Sequence, residues 1–177
     1  AIQEVKETEI KDVEKDEEVE FVEDCQIETD LEILIPDEYV SSVAERINLY
    51  KELDSIENEE SLRKFEEEII DRFGPIPPAV QEMIRAVQLR WVAKDIGLEK
   101  VVLKQNKMIC YFVSNQDSPY YQSPIFTNVL QYIQQNPNKG KLKERKERLS
   151  LVYENINSIN GALELLNELV LKEKAIS

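Results

Sequence analysis

The spacing of apolar positions predicts helices in the first half of the chain and mixed strands and helices in the second. Residues 43–54, 59–73 and 78–96 place apolar side chains every three or four positions, which is the period of a helix buried on one side. Residues 101–103 and 108–113 are short apolar runs around a polar turn, which is typical of a β-hairpin. This part of the chain therefore predicts three helices followed by two antiparallel strands.

Further elements follow from the same reading. Residues 25–35 alternate apolar and polar positions as one extended segment that ends at Pro36, and Ser123-Pro124 opens a short helix. Two strands are predicted near 141–143 and 149–153, and residues 158–173 form an amphipathic last helix. The predicted fold class is α+β, with a small, mostly antiparallel sheet packed with about five helices.

Capping residues mark the ends of the three consecutive helices. Ser42 and Glu45 have the spacing of a capping box, and Asn58 can cap the next helix. Gly74-Pro75 is a stop signal, as is Gly97 at the end of the third helix. In the first helix we expect one side to face the core. That side carries Val43, Ile47, Tyr50 and Leu53.

Composition adds an uneven distribution of charge. The chain has 177 residues, of which 42% are hydrophobic and 33% charged, with a net charge of −14. Residues 1–30 hold 13 acidic and 3 basic residues, so most of the negative charge lies at the start. We expect residues 1–24 to be an acidic linker and residues 25–177 to be the folded domain. The chain as a whole lacks the basic surface that phosphate binding requires, so direct nucleic-acid binding is not expected.

Several kinds of chemistry find no residues to support them. The chain has no histidine, which removes the most frequent general base and zinc ligand. Its four glycines are isolated, and Gly140-Lys141 is followed by Leu142, so no phosphate-binding loop is formed. Cys25 and Cys110 match no metal-binding spacing, and we expect two buried thiols. No catalytic, cofactor or metal site is predicted.

Residues 59–73 form the most informative helix. On a helical wheel its large apolar residues share a narrow arc and must face the core; they are Leu62, Phe65, Ile69 and Phe73. Charged residues take the outer side and its flank; they are Lys64, Glu67, Glu68, Asp71 and Arg72. Such a face is either a solvated array of weak ion pairs or a docking surface for a partner with complementary charge. The residues alone leave both interpretations open.

Sequence motifs around this helix resemble a known family. Residues 67–77 read EEIIDRFGPIP, residues 30–40 read DLEILIPDEYV, and residues 45–51 read ERINLYK. Together they resemble the C-terminal domain of bacterial transcription-repair coupling factors (Mfd). The resemblance extends over residues 30–113, whereas residues 114–177 agree only in layout.

The resemblance implies a regulatory domain that is not itself an enzyme and binds no cofactor. In that family the full-length protein is an ATP-driven DNA translocase that removes stalled RNA polymerase and recruits excision-repair proteins. Its C-terminal domain packs against a UvrB-like module, hides the UvrA-binding surface of that module and restrains the motor. By position, the docking residues would be Glu68, Asp71 and Arg72, with Glu67 and Lys64 beside them.

The resemblance also bears on where the chain comes from. Residues 1–6 resemble the end of the helicase motor that precedes this domain, so we expect the chain to be a piece of a longer protein. No apolar run approaches the ~18 residues of a membrane span, and we expect a cytoplasmic protein without membrane contact.

A nucleic-acid-binding accessory domain is the alternative function. It would use the basic stretch Lys139–Arg148, which we otherwise expect to be a solvated edge strand. An aromatic set in the second half could serve as a stacking platform for such a ligand. Its members are Tyr111, Phe112, Tyr120, Tyr121 and Phe126.

Overall fold

The computed structural model describes residues 20–176, with side chains described as far as residue 170. Its elements are β1 (Gln26–Thr29), α1 (Val43–Ser55), α2 (Glu59–Phe73), α3 (Pro78–Ile96), β2 (Leu98–Lys104), β3 (Lys107–Phe112), a 3-10 turn (Pro119–Gln122), α4 (Pro124–Gln135), β4 (Lys141–Arg145), β5 (Arg148–Glu154) and α5 (Ile159–Ile176). The predicted order of strands and helices and the α+β class are confirmed. Most of the predicted linker, residues 1–19, lies outside the described residues.

The five described strands form one sheet in the order β1-β2-β3-β5-β4. β1 runs parallel to β2, and the other neighbours are antiparallel. Both hairpins close through two residues with positive φ, which suits the right-handed twist of the strands. These residues are Gln105 and Asn106 in one turn and Lys146 and Glu147 in the other.

Two apolar clusters share helix α3. The first half of α3 joins α1 and α2 in a helical cluster, and its second half joins the sheet, α4 and α5 in a larger one. The two sets of buried α3 residues are Val80, Met83, Ile84 and Val87 for the helical cluster and Leu89, Ala93 and Ile96 for the sheet cluster. Because one rigid helix belongs to both clusters, the position of α2 is fixed relative to the sheet.

The predicted helix ends are confirmed by their hydrogen bonds. The Ser42 hydroxyl accepts the N–H of Glu45 at 3.3 Å, and the Asn58 side chain accepts the N–H of Ser61 at 2.8 Å. Gly97 ends α3 in the left-handed conformation with φ 97°. These bonds satisfy N–H groups that have no partner within their own helices.

The prediction for the inner side of α1 is wrong for Val43 and Ile47, whereas Leu53 is buried and Tyr50 packs against the helical cluster as predicted. Val43 is 62% exposed and Ile47 is 47% exposed, whereas Leu49 and Leu53 are buried. The helix carries two apolar stripes about a third of a turn apart, and α2 and α3 cover the stripe of Leu49 and Leu53. Periodicity alone could not choose between the two stripes, because the choice depends on packing.

The extended segment at residues 25–35 is shorter than predicted. It pairs with β2 only over Gln26–Thr29. At Asp30 the chain leaves the sheet, and the Asp30 carboxylate accepts the N–H of Gln105 at 3.0 Å in the β2–β3 turn. The strand therefore ends where its partner strand turns.

Gly97 offers a test of this packing. A Cβ atom at Gly97 would lie 2.1 Å from the ring of Tyr120, whose hydroxyl donates to the Ile96 carbonyl oxygen at 2.6 Å. We expect Gly97→Ala to lower the free energy of unfolding by about 3 kcal/mol, from the clash and the left-handed backbone together. Urea denaturation measures this change.

Gly161→Ala is the matched control. Gly161 lies in the first turn of α5, and its Cβ would meet only the Ser158 hydroxyl oxygen, at 3.1 Å, which accepts the Gly161 N–H at 2.9 Å. The same chemical change should there be neutral or stabilising by about 0.5–1 kcal/mol. A Gly97→Ala protein as stable as the Gly161→Ala protein would contradict the packing described at Tyr120.

Candidate functional site

Helix α2 has the orientation that its sequence predicts. Leu62, Phe65 and Ile69 are 1%, 4% and 2% exposed, and Phe73 is half-buried against the same cluster. The five predicted contact residues are all exposed. We call these five residues the charged face of α2: Lys64, Glu67, Glu68, Asp71 and Arg72.

Two residues of the charged face pair with residues of the same helix that lie outside the face. The Lys64 ammonium lies 3.8 Å from Glu60, and the Glu67 carboxylate lies 2.7 Å from the Arg63 guanidinium. Both pairs have the i,i+4 spacing, and their side chains are more than half exposed. Exposed pairs of this type contribute about 0.3–0.5 kcal/mol each, so they can exchange partners at little cost.

Arg72 connects α2 to α1. Its guanidinium lies 3.2 Å from the Glu45 carboxylate and 4.0 Å from Glu68, and it stacks 4.7 Å from the centre of the Phe73 ring. The sequence places Glu45 in a capping box and in the motif of residues 45–51, but it does not predict this pairing. The pair joins two helices, so no local pattern could have indicated it. Arg72 is therefore a structural residue as well as a candidate contact.

Asp71 differs from the other four members of the charged face. Within residues 20–170 it makes no ion pair or side-chain hydrogen bond, whereas Lys64, Glu67, Glu68 and Arg72 each have a partner. It lies in the last turn of α2, where the helix dipole disfavours negative charge. Its neighbours one turn back, Glu67 and Glu68, are also acidic and repel it. The Asp71 charge thus works against the stability of its own helix.

An exposed apolar residue accompanies Asp71. Ile70 is 48% exposed and directly precedes Asp71 in α2. The sequence alone does not distinguish Ile70 as a contact residue, because its position outside the inner arc is visible only as an interruption of the charged pattern. An apolar side chain among charges is a frequent composition of protein contact surfaces.

The corner after α2 is held by Tyr39. Its hydroxyl donates to the carbonyl oxygens of Gly74 at 2.9 Å and Ile69 at 3.2 Å, and its ring lies 5.7 Å from that of Phe73. Burial raises the pKa of Tyr39, so the hydroxyl keeps the proton that it donates. These bonds tie the end of the charged face to the loop before α1.

The loop before α1 is fixed in turn by two side chains of that helix. The Arg46 guanidinium donates to the Val40 carbonyl oxygen at 2.7 Å and lies 3.2 Å from the Asp37 carboxylate. The Tyr50 hydroxyl accepts the N–H of Ile35 at 2.8 Å. The three sequence motifs, residues 30–40, 45–51 and 67–77, therefore meet in space. Their contacts fix the position of α2, and we call this set of contacts the rigid mount of α2.

A shallow groove separates α1 from the charged face. It is lined by Glu52, Lys64, Phe65 and Glu68, among others. Partial burial and the Glu68 carboxylate raise the pKa of Glu52, while the Arg72 guanidinium opposes the change. The groove is lined mainly by charged and polar side chains, so any ligand in it would be held by polar contacts.

The residues that were candidates for metal binding or for base stacking have structural roles in the domain. Cys25 and Cys110 are free and buried, and no group of His, Cys, Asp or Glu in the described residues could hold a metal ion. Phe112, Tyr120 and Phe126 are packed in the sheet cluster, so the aromatic set does not form an exposed stacking platform. None of the described helices is long and apolar enough to cross a membrane.

The basic stretch Lys139–Arg148 forms most of the edge hairpin, as predicted. β4 is one of the two edge strands of the described sheet, and most of its side chains are exposed. Lys139 pairs with Glu168 at 2.9 Å, and Arg148 lies 3.7 Å from Glu99 and 5.3 Å from the centre of the Tyr111 ring. The charges of this stretch are thus separate from the charged face of α2.

Comparisons with known proteins agree with this architecture. The TRCF domain family matches residues 29–123. A transcription-repair-coupling factor from Rickettsia prowazekii is 27% identical over 143 residues, which are 78% of this chain and 12% of that protein. One from Borreliella burgdorferi is 24% identical over 149 residues, 76% of this chain and 13% of that protein. The chain thus spans about an eighth of the length of these curated relatives.

A solved structure matches the fold. The crystal structure of the C-terminal domain of a transcription-repair coupling factor superimposes with a TM-score of 0.67 at 20% sequence identity, covering 87% of this chain and 98% of that one. The fold is that of a small α+β domain with a three-helix unit beside a five-stranded sheet. The chain belongs to the TRCF domain family, and it corresponds to the C-terminal region of transcription-repair coupling factors.

Substitutions at two adjacent residues of the charged face should change the free energy of unfolding in opposite directions. Arg72→Ala should lower the free energy of unfolding by about 1 kcal/mol, because it removes half-exposed contacts to Glu45 and Phe73. Asp71→Asn should raise it by about 0.3–1 kcal/mol, because it removes a charge that the helix end and two acidic neighbours disfavour. Urea denaturation at low salt measures both changes. A loss of stability in Asp71→Asn would show that Asp71 has a stabilising partner.

Both cysteines should resist thiol reagents in the native protein. Burial raises the pKa of the Cys25 thiol to about 12 and raises that of Cys110 further. The reactive species is the thiolate, which is then scarce at pH 8, and both sulfurs are shielded from the reagent. We expect an aromatic disulfide reagent to titrate no thiol in the folded chain and two thiols in guanidinium chloride. A thiol that reacts rapidly under native conditions would place that cysteine at the surface.

Proposed function

We propose that this chain is the autoinhibitory regulatory domain of a transcription-coupled DNA repair translocase. In this proposal the charged face of α2 docks on a UvrB-like module of the full-length protein, masks the UvrA-binding surface of that module and restrains the motor. Residues 1–24 would connect the domain, residues 25–177, to that motor. The ATP hydrolysis, the contact with RNA polymerase and the recruitment of UvrA would belong to other parts of the protein or to its partners.

The position of Asp71 is the observation that carries the proposal. Its carboxylate has no partner among residues 20–170, and it lies in the last turn of α2 beside acidic neighbours and the exposed Ile70. Such a residue costs stability in the domain alone, and a cation on a docked partner would offset that cost.

The remaining members of the charged face fit a reversible contact. Glu67, Glu68 and Lys64 are paired by weak, exposed bridges that can open to a partner. Arg72 can keep its stacking on Phe73 while its guanidinium contacts a second carboxylate. Several contacts of about 0.2–1 kcal/mol each stabilise the closed state at rest and still allow it to open.

Opening requires a ligand with unequal affinity for the two states. A ligand that bound the closed and open forms equally would not change their ratio. Engagement of RNA polymerase and DNA would therefore have to favour the open form. The rigid mount of α2 on Tyr39, Arg46 and Tyr50 is consistent with a domain that leaves its partner as one body.

A triple variant tests the docking surface. Glu68→Ala, Asp71→Ala and Arg72→Ala together should weaken capture of the separately produced UvrB-like module by about tenfold or more, since about 1.4 kcal/mol corresponds to each factor of ten. In the full-length protein the same variant should increase UvrA binding. Calorimetry or surface plasmon resonance measures the first change, and UvrA pull-down measures the second.

A matched variant controls for charge and mutational load. Arg85, Asp117 and Glu144 are exposed and make no ion pair among the described residues, and they lie outside α2. Their replacement by Ala removes the same number of charges of each sign, so it should change neither affinity. Equal UvrA binding by the wild-type protein and the Glu68, Asp71 and Arg72 variant would refute the masking role.

A further inference from the structure

The edge strand β4 presents a row of cations on the face of the sheet away from the helices. Leu142 packs against the sheet cluster, so its neighbours Lys141, Lys143 and Arg145 point to the opposite face. The register confirms this placement, because Lys143 lies opposite Ser150 and Ser150 lies opposite Tyr111 on that same face. The row is therefore a property of the strand pleat and not of a flexible loop.

These cations lack the carboxylate partners that most others have. Among residues 20–170, Lys141, Lys143, Arg145 and Lys146 form no ion pair, although they are consecutive cations in a chain of net charge −14. Their flanking cations Lys139 and Arg148 do pair, with Glu168 and Glu99. Within the basic stretch Lys139–Arg148, the unpaired charge is thus confined to β4 and the turn after it.

The backbone of β4 is also open on one side. β4 pairs with β5 and with no other described strand. Arg145 and Arg148 flank a two-residue turn, and such a flanking pair exchanges hydrogen bonds. By alternation, Leu142 and Glu144 direct their N–H and C=O groups away from β5, towards the free edge of the sheet. A further strand could bond to these groups.

We propose that β4 is a docking edge for an extended acidic polypeptide segment. The segment would add to the sheet as a sixth strand, bonded to the backbone of Leu142 and Glu144. Its carboxylates, at alternate positions, would lie beside Lys141, Lys143 and Arg145 on the open face. This surface is separate from the charged face of α2, so it would act independently of the autoinhibitory contact.

The open backbone edge favours a polypeptide over a nucleic acid. A nucleic acid could use the cations, but it could not pair with both the N–H and the C=O groups of the edge as an added strand does. The net charge of −14 repels an acidic peptide and a nucleic acid alike at long range, so it does not discriminate between them. Edge lysines discourage pairing with neutral or basic strands, and the same lysines attract a strand that carries carboxylates. The edge would thus select its partner by charge.

The charge requirement is tested with a synthetic peptide of alternating Glu and Thr. We expect the 177-residue chain to bind this peptide and to bind its Gln-for-Glu analogue at least about tenfold more weakly. Lys141→Glu with Lys143→Glu should weaken binding by a similar factor. Lys51→Glu with Arg85→Glu makes the same charge change at exposed positions that form no ion pair in the described residues, and it should leave binding unchanged. Fluorescence anisotropy measures all four affinities.

The backbone requirement is tested at Glu144. Glu144→Pro removes an N–H that points to the free edge, and Pro is tolerated on edge strands in that orientation. It should weaken peptide binding several-fold, whereas Glu144→Ala should leave it unchanged or slightly stronger. Near-identical circular dichroism and melting temperature for the two variants would show that the β4–β5 ladder is intact in both.

Three results would overturn the proposal. The first is no measurable binding of the Glu-Thr peptide, which would leave the lysines as protection of a free edge. The second is equal affinity of the Glu144→Pro and Glu144→Ala chains, which would reduce the contact to charge attraction. The third is tighter binding of a single-stranded oligonucleotide than of the peptide through Lys141 and Lys143, which would make the strand a nucleic-acid contact.

Discussion

The burial of α3 on two sides is the constraint on which the rest of this domain depends. Val80 and Val87 pack with α1 and α2, while Leu89 and Ile96 pack with the sheet, α4 and α5. Neither cluster could keep its place relative to the other without this shared helix. The helix that carries the charged face is thereby fixed to the same rigid body as the edge strand β4, although the two surfaces share no residue. A contact on one surface can therefore change the position of the other only by moving the whole domain.

Charge is used in two different ways on these surfaces. On the charged face of α2, acids and bases occur together and four of the five residues are paired, so the surface offers contacts that exchange at little cost. Among the described residues, Asp71 alone of the five has no partner. On β4, the cations lie along a free backbone edge and have no ion-pair partner among the described residues. The first arrangement suits a reversible contact with a folded module of mixed charge. The second suits an extended acidic segment, because only such a segment complements both the charges and the backbone.

Local signals predicted most of the fold. Ser42, Asn58 and Gly97 marked helix ends through their own chemistry, and the inner arc of α2 followed from spacing alone. Decisions that depend on packing could not be predicted in this way. α1 buries Leu49 and not Val43 because of what α2 and α3 present to it, and the strand at Gln26–Thr29 ends where its partner turns. For the site, the wheel gave the outward direction of Asp71 and Arg72, but the pairing of Arg72 with Glu45 joins two helices and has no local signal.

The proposed function requires that the charged face be covered in the resting full-length protein. Labelling of a cysteine at position 71 tests it most directly, because Cys25 and Cys110 are buried and should stay silent. An Asp71→Cys side chain should react with a maleimide at least about tenfold more slowly in the full-length protein than in the 177-residue chain, as measured by mass spectrometry of the peptide that carries it. Adding Glu68→Ala and Arg72→Ala should restore the fast rate in the full-length protein. Equally fast labelling of Asp71→Cys in the isolated chain and in the resting full-length protein would contradict the account.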